Sequence, residues 1–241
     1  MYSQNPKLDY GSSQFDVRHR FTGAVTYALP EKKSRGQMLE GWQVNSIVNL
    51  ATGAPWQVID STTDVSGTRE FTDRWNFYGN PNHFSYRGSA VIPWSSGTSN
   101  AACLSKATSM GAGAVSSFAK WGCFVSGNSM MLPPALGTLG TMGRDIFRDN
   151  GLSLFDLSVT KKWRFTERFS AQFRAEFFNI LNVATYASPA GATTIGSGQH
   201  NNPTTVGGFG TSLTTPDVAN ANPQIGIGAA RSTQLGLKLT F

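Results

Sequence analysis

The sequence predicts an all-β fold of antiparallel strands, and three observations carry this prediction. Apolar and polar residues alternate with a period of two over several segments of strand length. Short turns and very long connections separate these segments. Charged residues make up only 14% of the chain, whereas about a quarter is usual in globular proteins. A transmembrane β-barrel combines all three features, because its strands turn apolar side chains to lipid and polar ones to the interior.

Six segments alternate in this way. They are residues 15–29, 42–50, a short segment that begins at Trp56, 155–165, 169–177 and 232–241. If the strands run up and down, the turns 51–55 and 166–168 lie on one side of the membrane. The connections 30–40, about 61–151 and about 182–231 then lie on the other side. The two long connections are predicted to be extracellular loops.

Aromatic residues mark the ends of the predicted strands. Those near the short turns are Phe15, Trp56, Trp163, Phe165, Phe169 and Phe241, and those near the long connections are Tyr27, Trp42 and Phe177. Two aromatic girdles of this kind are typical of the lipid interfaces of a barrel. Lys161 interrupts the lipid-facing track, so we expect its side chain to snorkel or to lie close to an interface.

A soluble β-sandwich is the alternative fold, because its strands also alternate. The polar track of a sandwich would carry abundant charge, yet here it consists mainly of Asn, Gln, Ser and Thr. The pattern therefore favours a barrel. Six strands cannot close a barrel in lipid, since about eight is the observed minimum. We expect residues 15–241 to be the C-terminal portion of a larger barrel, or one protomer of several, and residues 1–14 to be an upstream loop or strand remnant.

No arrangement of residues predicts catalysis. The three histidines, His19, His83 and His200, are isolated, and the sequence contains no catalytic or metal-binding motif. We expect no enzyme activity, no cofactor and no metal site. Nucleic-acid binding is not expected either, because the Lys and Arg residues that give the net charge of +6 are scattered along the chain.

Cys103 and Cys123 lie in a segment rich in Gly, Ser and Ala. Neither has a histidine or a further cysteine at the spacing of a metal site. A disulfide that closes part of the long loop is predicted, which would place this loop in an oxidising compartment. Two free thiols are the alternative.

Two further groups are candidate site residues. The interior-facing track carries the charges Asp156, Lys162, Arg164, Arg174 and Glu176. These charges are able to pair across strands or to contact a plug inside the barrel, and simple hydration of the interior is the alternative. In the loop 61–151, the candidate ligand contacts are Trp75, Tyr78, Trp94 and Trp121. Aromatic residues among small polar ones suit ligand binding, but they equally suit a loop that packs on itself.

Four blocks of sequence resemble a known family. They are FDVRHRF (15–21), GWQVNSIVNLATGAPWQV (41–58), GTLGTMGRDIFRDNGLSLFDLSVTKKWRFTERFSAQFRAEFFNILN (137–182) and GLKLTF (236–241). In this order and spacing they resemble the C-terminal barrel strands of TonB-dependent outer-membrane receptors of the Oar-like group. The resemblance implies an outer-membrane barrel of about 22 strands, of which the chain holds the last six. It also implies import of a large nutrient with energy transmitted through TonB.

The resemblance implies partners as well. These are outer-membrane lipid, the N-terminal plug and early strands of the same protein, and the TonB system through that missing part. The last strand resembles the signal that the barrel-assembly machinery reads, and its residues are Thr233, Leu235, Leu237, Leu239 and Phe241. A role as lipid-facing wall alone is the alternative for these residues. A structural or adhesive outer-membrane barrel without transport is the alternative function.

Overall fold

The computed structural model describes residues 6–84, 92–189, 202–204, 209–210 and 230–241. Its strands are β1 (Arg20–Ala28), β2 (Trp42–Ala51), β3 (Pro55–Trp56), β4 (Asn76–Tyr78), β5 (Trp94–Ser95), β6 (Cys123–Ser126), β7 (Ser129–Leu132), β8 (Phe147–Arg148), β9 (Leu152–Arg164), β10 (Ser170–Phe178) and β11 (Ser232–Thr240). Its helices are α1 (Ala101–Met110) and α2 (Ala112–Trp121), with short 3-10 turns at Pro6–Asp9, Arg35–Gln37 and Pro81–Phe84. Within the described ranges, no helix combines the length and apolarity that crossing a membrane requires.

The chain folds into two compact units. The wall unit consists of His19–Thr52, Gly151–Thr185 and Pro216–Phe241, and the loop unit consists of Met1–Arg18, Gly53–Asn150 and Tyr186–Thr215. The opening segment belongs to the loop unit because two arginines of that unit bind it. Arg74 Nη2 donates to Asp9 Oδ1 over 2.9 Å, and Arg148 Nη2 donates to Asp16 Oδ2 over 2.6 Å. The predicted boundary between residues 14 and 15 therefore does not separate two parts of the fold.

Five antiparallel strands form the sheet of the wall unit, in the order β1-β2-β9-β10-β11. They are 9, 10, 13, 9 and 9 residues long, and about 9 to 11 residues are needed to cross a bilayer. Each strand pairs with the strand that precedes it in the wall unit. The predicted up-and-down antiparallel arrangement is confirmed.

The register separates the two faces of this sheet. Directly opposed residues of an antiparallel pair point to the same face. One row across all five strands consists of Tyr27, Val44, Val159, Ala175 and Leu235. The adjacent row consists of Thr26, Asn45, Ser158, Glu176 and Gln234. The predicted tracks are therefore correct, and we call the two sides the apolar face and the polar face.

The segment at Trp56 is not a strand of this sheet, so the prediction of six strands was wrong. β3 covers only two residues and pairs with β8 in the loop unit. The side chain of Trp56 is buried, and its ring centroid lies 5.1 Å from that of Phe147. Its alternation with Val58 reflects burial of one side of the segment in an aromatic core. The first strand is also shorter than predicted, since it begins at Arg20 rather than at Phe15.

Because the sheet has five strands and not six, some connections lie at a different end of the sheet than predicted. With five strands, the connection 29–41 and the turn 165–169 leave the sheet at the same end. The connections 52–151 and 179–231 leave at the opposite end. The prediction that residues 30–40 share a side with the long loops was therefore wrong. The corrected order separates short from long connections completely, as outer-membrane barrels do.

Six of the eleven aromatic residues of the wall unit lie at the end with the short connections, which we call the short-connection rim. Its aromatic residues are Tyr27, Trp42, Trp163, Phe165, Phe169 and Phe241. The ring of Phe169 stacks on those of Phe165 and Phe241, at centroid distances of 5.1 and 5.3 Å. Tyr27 and Trp42 were predicted at the other end, and the corrected strand count moves them here.

The loop unit has an aromatic core of its own. This core consists of Trp56, Val58, Trp75, Phe84, Ile92, Phe124, Met131, Met142, Phe147 and Phe209. Two small sheets, β3-β8 and β4-β7-β6-β5, surround it. Contacts between aromatic rings stabilise such a core beyond the burial of apolar area. The connection between β2 and β9 is therefore a folded unit.

Two helices, which the alternation did not predict, cover a second buried cluster. Its residues are Cys103, Ala107, Phe118, Cys123 and Leu132. The side chain of Asn100 caps α1, because it accepts hydrogen bonds from the backbone N–H groups of Ala102 and Cys103. The structure joins Cys103 in α1 to Cys123 in β6 by a disulfide, which ties a helix to the small sheet.

Trp75 is a core residue, so its predicted role as a ligand contact is wrong. Its side chain is 0% exposed, and its indole N–H lies 3.4 Å from Oδ2 of the buried Asp60. The other three candidates, Tyr78, Trp94 and Trp121, are partly buried and pack against the two clusters. Trp94 Nε1 also donates to the carbonyl of Trp121 over 3.0 Å. Packing of the loop on itself explains most of this aromatic content.

We expect Trp75→Ala to destabilise the loop unit by about 3 to 5 kcal/mol, because it removes a fully buried aromatic side chain. Trp121→Ala should cost clearly less, since Trp121 is only partly buried. Denaturant unfolding of the two variants, followed by the fluorescence of the remaining tryptophans, measures the difference. Equal losses of stability would contradict the placement of Trp75 in the core.

Candidate functional site

The apolar face of the wall unit is the most extensive candidate for a functional surface. Its large side chains are exposed on the two outermost strands, where Phe21, Val25, Tyr27, Leu235, Leu237 and Leu239 are exposed by 59, 65, 57, 66, 67 and 47%. Most of those on the three inner strands are half-buried. Soluble monomers rarely expose a continuous apolar patch of this extent. Such a surface is typical of contact with lipid or with another protein.

The predicted assembly-signal residues lie on this face. Thr233, Leu235, Leu237 and Leu239 occupy alternate positions of β11, opposite alternate residues of β10. Phe241 follows the strand and is 87% exposed. In the described part of the chain β11 pairs only with β10, so its other edge offers free backbone groups. That edge is suited to strand addition.

The predicted interior charges lie on the polar face, as their register requires. Arg174 and Glu176 form an ion pair, with 3.5 Å between Arg174 Nε and Glu176 Oε1. Asp156 Oδ1 accepts a hydrogen bond from the backbone N–H of Asn179 over 2.9 Å. Lys162 is opposite Gln172, far along the strand from Asp156. The structure therefore brings together one pair of the predicted set rather than a single cluster.

Lys161 lies on the apolar face at the short-connection rim. It pairs with Trp42, the first residue of β2, and is 1% exposed. Its amine donates to the backbone carbonyls of Gln37 and Glu40. The amine also lies 5.4 Å from the ring centroid of Trp42 and 5.2 Å from that of Trp163. Carbonyls and aromatic rings therefore hold this cation at the rim of the sheet. The sequence could not show the carbonyls.

No cluster of histidine, cysteine and acidic residues suited to a metal ion occurs in the described residues. His83 Nδ1 lies 2.9 Å from Ser129 Oγ, a contact that the sequence did not predict. Ser129 is fully buried, and its hydroxyl also bonds the backbone N–H and carbonyl of Asn80. The pair therefore holds a turn. His19 precedes β1, and His200 lies outside the described residues.

Asp145 is a buried acid of the loop unit with an uncommon backbone conformation. It is 4% exposed and has a backbone φ of 54°. The nearest cation is its neighbour Arg144, with 3.3 Å between Arg144 Nε and Asp145 Oδ2. Burial raises the pKa of Asp145 above its ordinary value, and the charge of Arg144 opposes this shift only in part. Folding therefore shifts the equilibrium of this carboxyl toward its protonated form, relative to the unfolded chain.

A family model described as an outer membrane beta barrel domain matches residues 1–227. The chain belongs to this outer-membrane β-barrel family. The comparisons with curated proteins and with solved structures find no match. The antiparallel wall and its exposed apolar face are those of an outer-membrane β-barrel domain, and the protein is located in the outer membrane.

Membership in this family assigns the two faces. In a membrane barrel the apolar face contacts lipid and the polar face lines the interior. Lipid contact explains why the side chains of Leu235 and Leu237 are exposed. The ion pair of Arg174 and Glu176 then lies on the interior side, where water or protein surrounds it.

The assignment of faces predicts the effect of a new charge in the wall. Val159→Arg places a cation on the lipid side, one pleat deeper than Lys161, and should destabilise the barrel domain by about 2 to 4 kcal/mol. Ser158→Arg is the matched control, because it places the same charge on the interior side. Urea unfolding of the full-length protein in vesicles measures both. Similar losses for the two variants would show that the faces are assigned wrongly.

The pKa of Asp145 predicts how stability depends on pH. The pKa of Asp145 is raised in the folded unit. Its protonated carboxyl therefore contributes stability that is complete below the pKa of the unfolded chain, about 3.9. This stability is lost as pH rises through the pKa of the folded unit. Asp145→Asn should therefore raise the unfolding midpoint of the loop unit at pH 7 and change it little near pH 4. Asn also tolerates a positive φ. Denaturant unfolding at the two pH values measures this.

Arg144→Gln is the paired variant for the same measurement. It removes the charge that opposes the effect of burial, so it should lower the midpoint at pH 7 more than near pH 4. If the shifts of both variants were independent of pH, the burial of an ionisable Asp145 would not control the stability of the loop unit.

Proposed function

We propose that the chain supplies the C-terminal strands of a TonB-dependent outer-membrane transporter of the Oar-like group, which imports a large nutrient. The observation that carries this proposal is the pair of open edges of the wall sheet. Among the described residues, β1 pairs only with β2 and β11 only with β10. Each unpaired backbone group in hydrocarbon costs several kcal/mol. Further strands must therefore pair with both edges, as they do in a large barrel.

The four blocks that resemble the transporter family support this proposal, because they coincide with strands of the wall unit. The second block contains all of β2, the third contains β9 and β10, and the fourth ends the last strand. The first block leads into β1. The resemblance thus follows the strands of the wall, which in this family form the end of a barrel that encloses a plug.

The loop unit supports a role in capturing the nutrient outside the cell. Apart from Met1–Arg18, it consists of the long connections, which face the exterior in outer-membrane barrels. Its aromatic core and its disulfide between Cys103 and Cys123 favour a surface of fixed shape. Tyr78, Trp94 and Trp121 keep some exposed surface and remain the candidate ligand contacts. We propose binding and passage of a ligand, with no chemical conversion and no cofactor.

The partners of this proposal are the remaining parts of the same protein, TonB and the barrel-assembly machinery. The plug and the early strands would close the interior, and TonB would act on them. The assembly machinery would read β11 by strand addition to its free edge.

Cross-linking in cells tests the proposal. The full-length protein, produced in its natural outer membrane, is treated with formaldehyde, and complexes are detected with antibodies against the protein and against TonB. We expect a cross-linked complex whose yield changes when a protonophore collapses the gradient of the inner membrane. A variant that lacks the N-terminal TonB-contacting segment is the control. A barrel that reaches the outer membrane, gives no complex and encloses no plug would contradict transport and leave the structural or adhesive alternative.

A further inference from the structure

The connection between β1 and β2 lies against the lipid-facing side of the wall. Lys161 projects from the apolar face, and its amine donates to the carbonyls of Gln37 and Glu40 in this connection. Lys161 is opposite Trp42 at the short-connection rim. The 3-10 turn Arg35–Gln37 therefore covers the outside of the wall, at the level of a lipid interface, and not the interior.

Hydrogen bonds to the backbone of β9 hold this connection in place. The side chain of Gln37 continues the pairing of β9, because its Nε2 donates to the carbonyl of Arg164 over 2.6 Å and its Oε1 accepts the N–H of Arg164 over 2.9 Å. The carbonyl of Gly41 accepts the N–H of Lys162 over 2.9 Å. Gly41 has a φ of 66°, and a Cβ there would lie 2.4 Å from the carbonyl oxygen of Lys162. The connection is thus fitted closely to the strand.

An apolar pair projects from the connection. Met38 and Leu39 are 61% and 55% exposed. The indole N–H of Trp42 donates to the carbonyl of Met38 over 2.7 Å, which places the pair beside the aromatic girdle. Exposed apolar residues at the edge of a lipid-facing wall are positioned to enter the boundary between headgroups and acyl chains.

Three cations precede the apolar pair. Lys32, Lys33 and Arg35 are exposed, and no ion pair in the described residues includes them. Of the two carboxylates in residues 31–40, that of Glu40 accepts the backbone N–H of Ser34 over 2.9 Å. Three cations against the two carboxylates, Glu31 and Glu40, leave residues 31–40 with a net charge of +1. The segment therefore presents excess positive charge beside an apolar pair, a combination that attracts anionic membrane surfaces.

We propose that residues 31–40 form a binding site for the headgroup of an anionic phospholipid. Lys32, Lys33 and Arg35 contact the negatively charged headgroup, while Met38 and Leu39 insert beside its acyl chains. The carbonyls that bind Lys161 hold this site on the lipid-facing side. The proposal goes beyond transport. It uses the orientation proposed above only to place the short-connection rim in the phospholipid leaflet.

Fluorescence quenching by brominated lipids tests this site. Trp42 and Trp163 are the tryptophans of the wall unit and lie beside the connection. The full-length protein is inserted into phosphatidylcholine vesicles that contain brominated phosphatidylglycerol or, at the same fraction, brominated phosphatidylcholine. We expect the anionic lipid to quench the wall-unit tryptophans more strongly. Because the bilayers are symmetric, the result does not depend on orientation or on TonB.

A variant without the three cations and a matched control test whether residues 31–40 cause the preference for the anionic lipid. In K32Q/K33Q/R35Q, the preference for phosphatidylglycerol should fall by about fivefold for each cation removed. The control K7Q/R69Q/K120Q removes the same charge from exposed residues of the loop unit and should keep the preference. Circular dichroism and resistance to urea show that each variant is folded.

Two results would overturn the proposal. Equal quenching of the unchanged protein by the two brominated lipids would show that the connection does not select anionic headgroups. Equal loss of preference in both triple variants would show that net charge, and not residues 31–40, attracts the lipid. Cross-linking to TonB should be unaffected by either triple variant, so the failure of this site and the failure of transport are distinguishable.

Discussion

The pairing of backbone groups in a medium without water is the constraint on which the wall depends. Lipid offers no hydrogen bonds, so each N–H and C=O within the membrane must bind another strand. The continuous pairing of β1, β2, β9, β10 and β11 meets this requirement inside the sheet. Where β9 extends beyond β2, the side chain of Gln37 and the carbonyl of Gly41 replace a neighbouring strand.

The loop unit meets a different requirement. A connection of about 100 residues without structure would carry a large entropic cost of ordering and would be open to proteolysis. Here it is folded around buried aromatic residues such as Trp75 and Phe147, and the Cys103–Cys123 disulfide ties α1 to the small sheet. The long connection is therefore a stable unit in its own right, and its surface is available for function.

The faces of the wall could be predicted from the sequence because a period of two has one structural meaning within a long strand. Val159 and Ser158 were assigned to opposite sides correctly. The same rule failed at Trp56, because alternation shows that one side of a segment is buried but not what buries it. Trp56 packs against the loop-unit core, whereas Val159 belongs to the wall. Length distinguishes the two cases, since β3 has two residues and β9 has thirteen.

Other features depend on contacts that a pattern does not contain. The helices α1 and α2 are rich in Ala and Ser and lack a wide apolar stripe, so the cap of α1 at Asn100 was the only strong signal. The sequence predicted where Lys161 should lie but not which carbonyls bind it. The burial of Asp145 beside Arg144 was not visible either, because ordinary loops contain the same residues in an exposed state.

The central claim is that residues 29–41 and the turn 165–169 share one side of the membrane, opposite the side at which the connections 52–151 and 179–231 leave the sheet. Single cysteines introduced as Lys33→Cys, Glu167→Cys and Leu136→Cys, in the full-length protein on intact cells, test it with a membrane-impermeant maleimide. All three positions are exposed. We predict that Leu136→Cys is labelled on intact cells, and that Lys33→Cys and Glu167→Cys are labelled only after the outer membrane is permeabilised. Labelling of Lys33→Cys together with Leu136→Cys on intact cells would contradict the five-stranded wall.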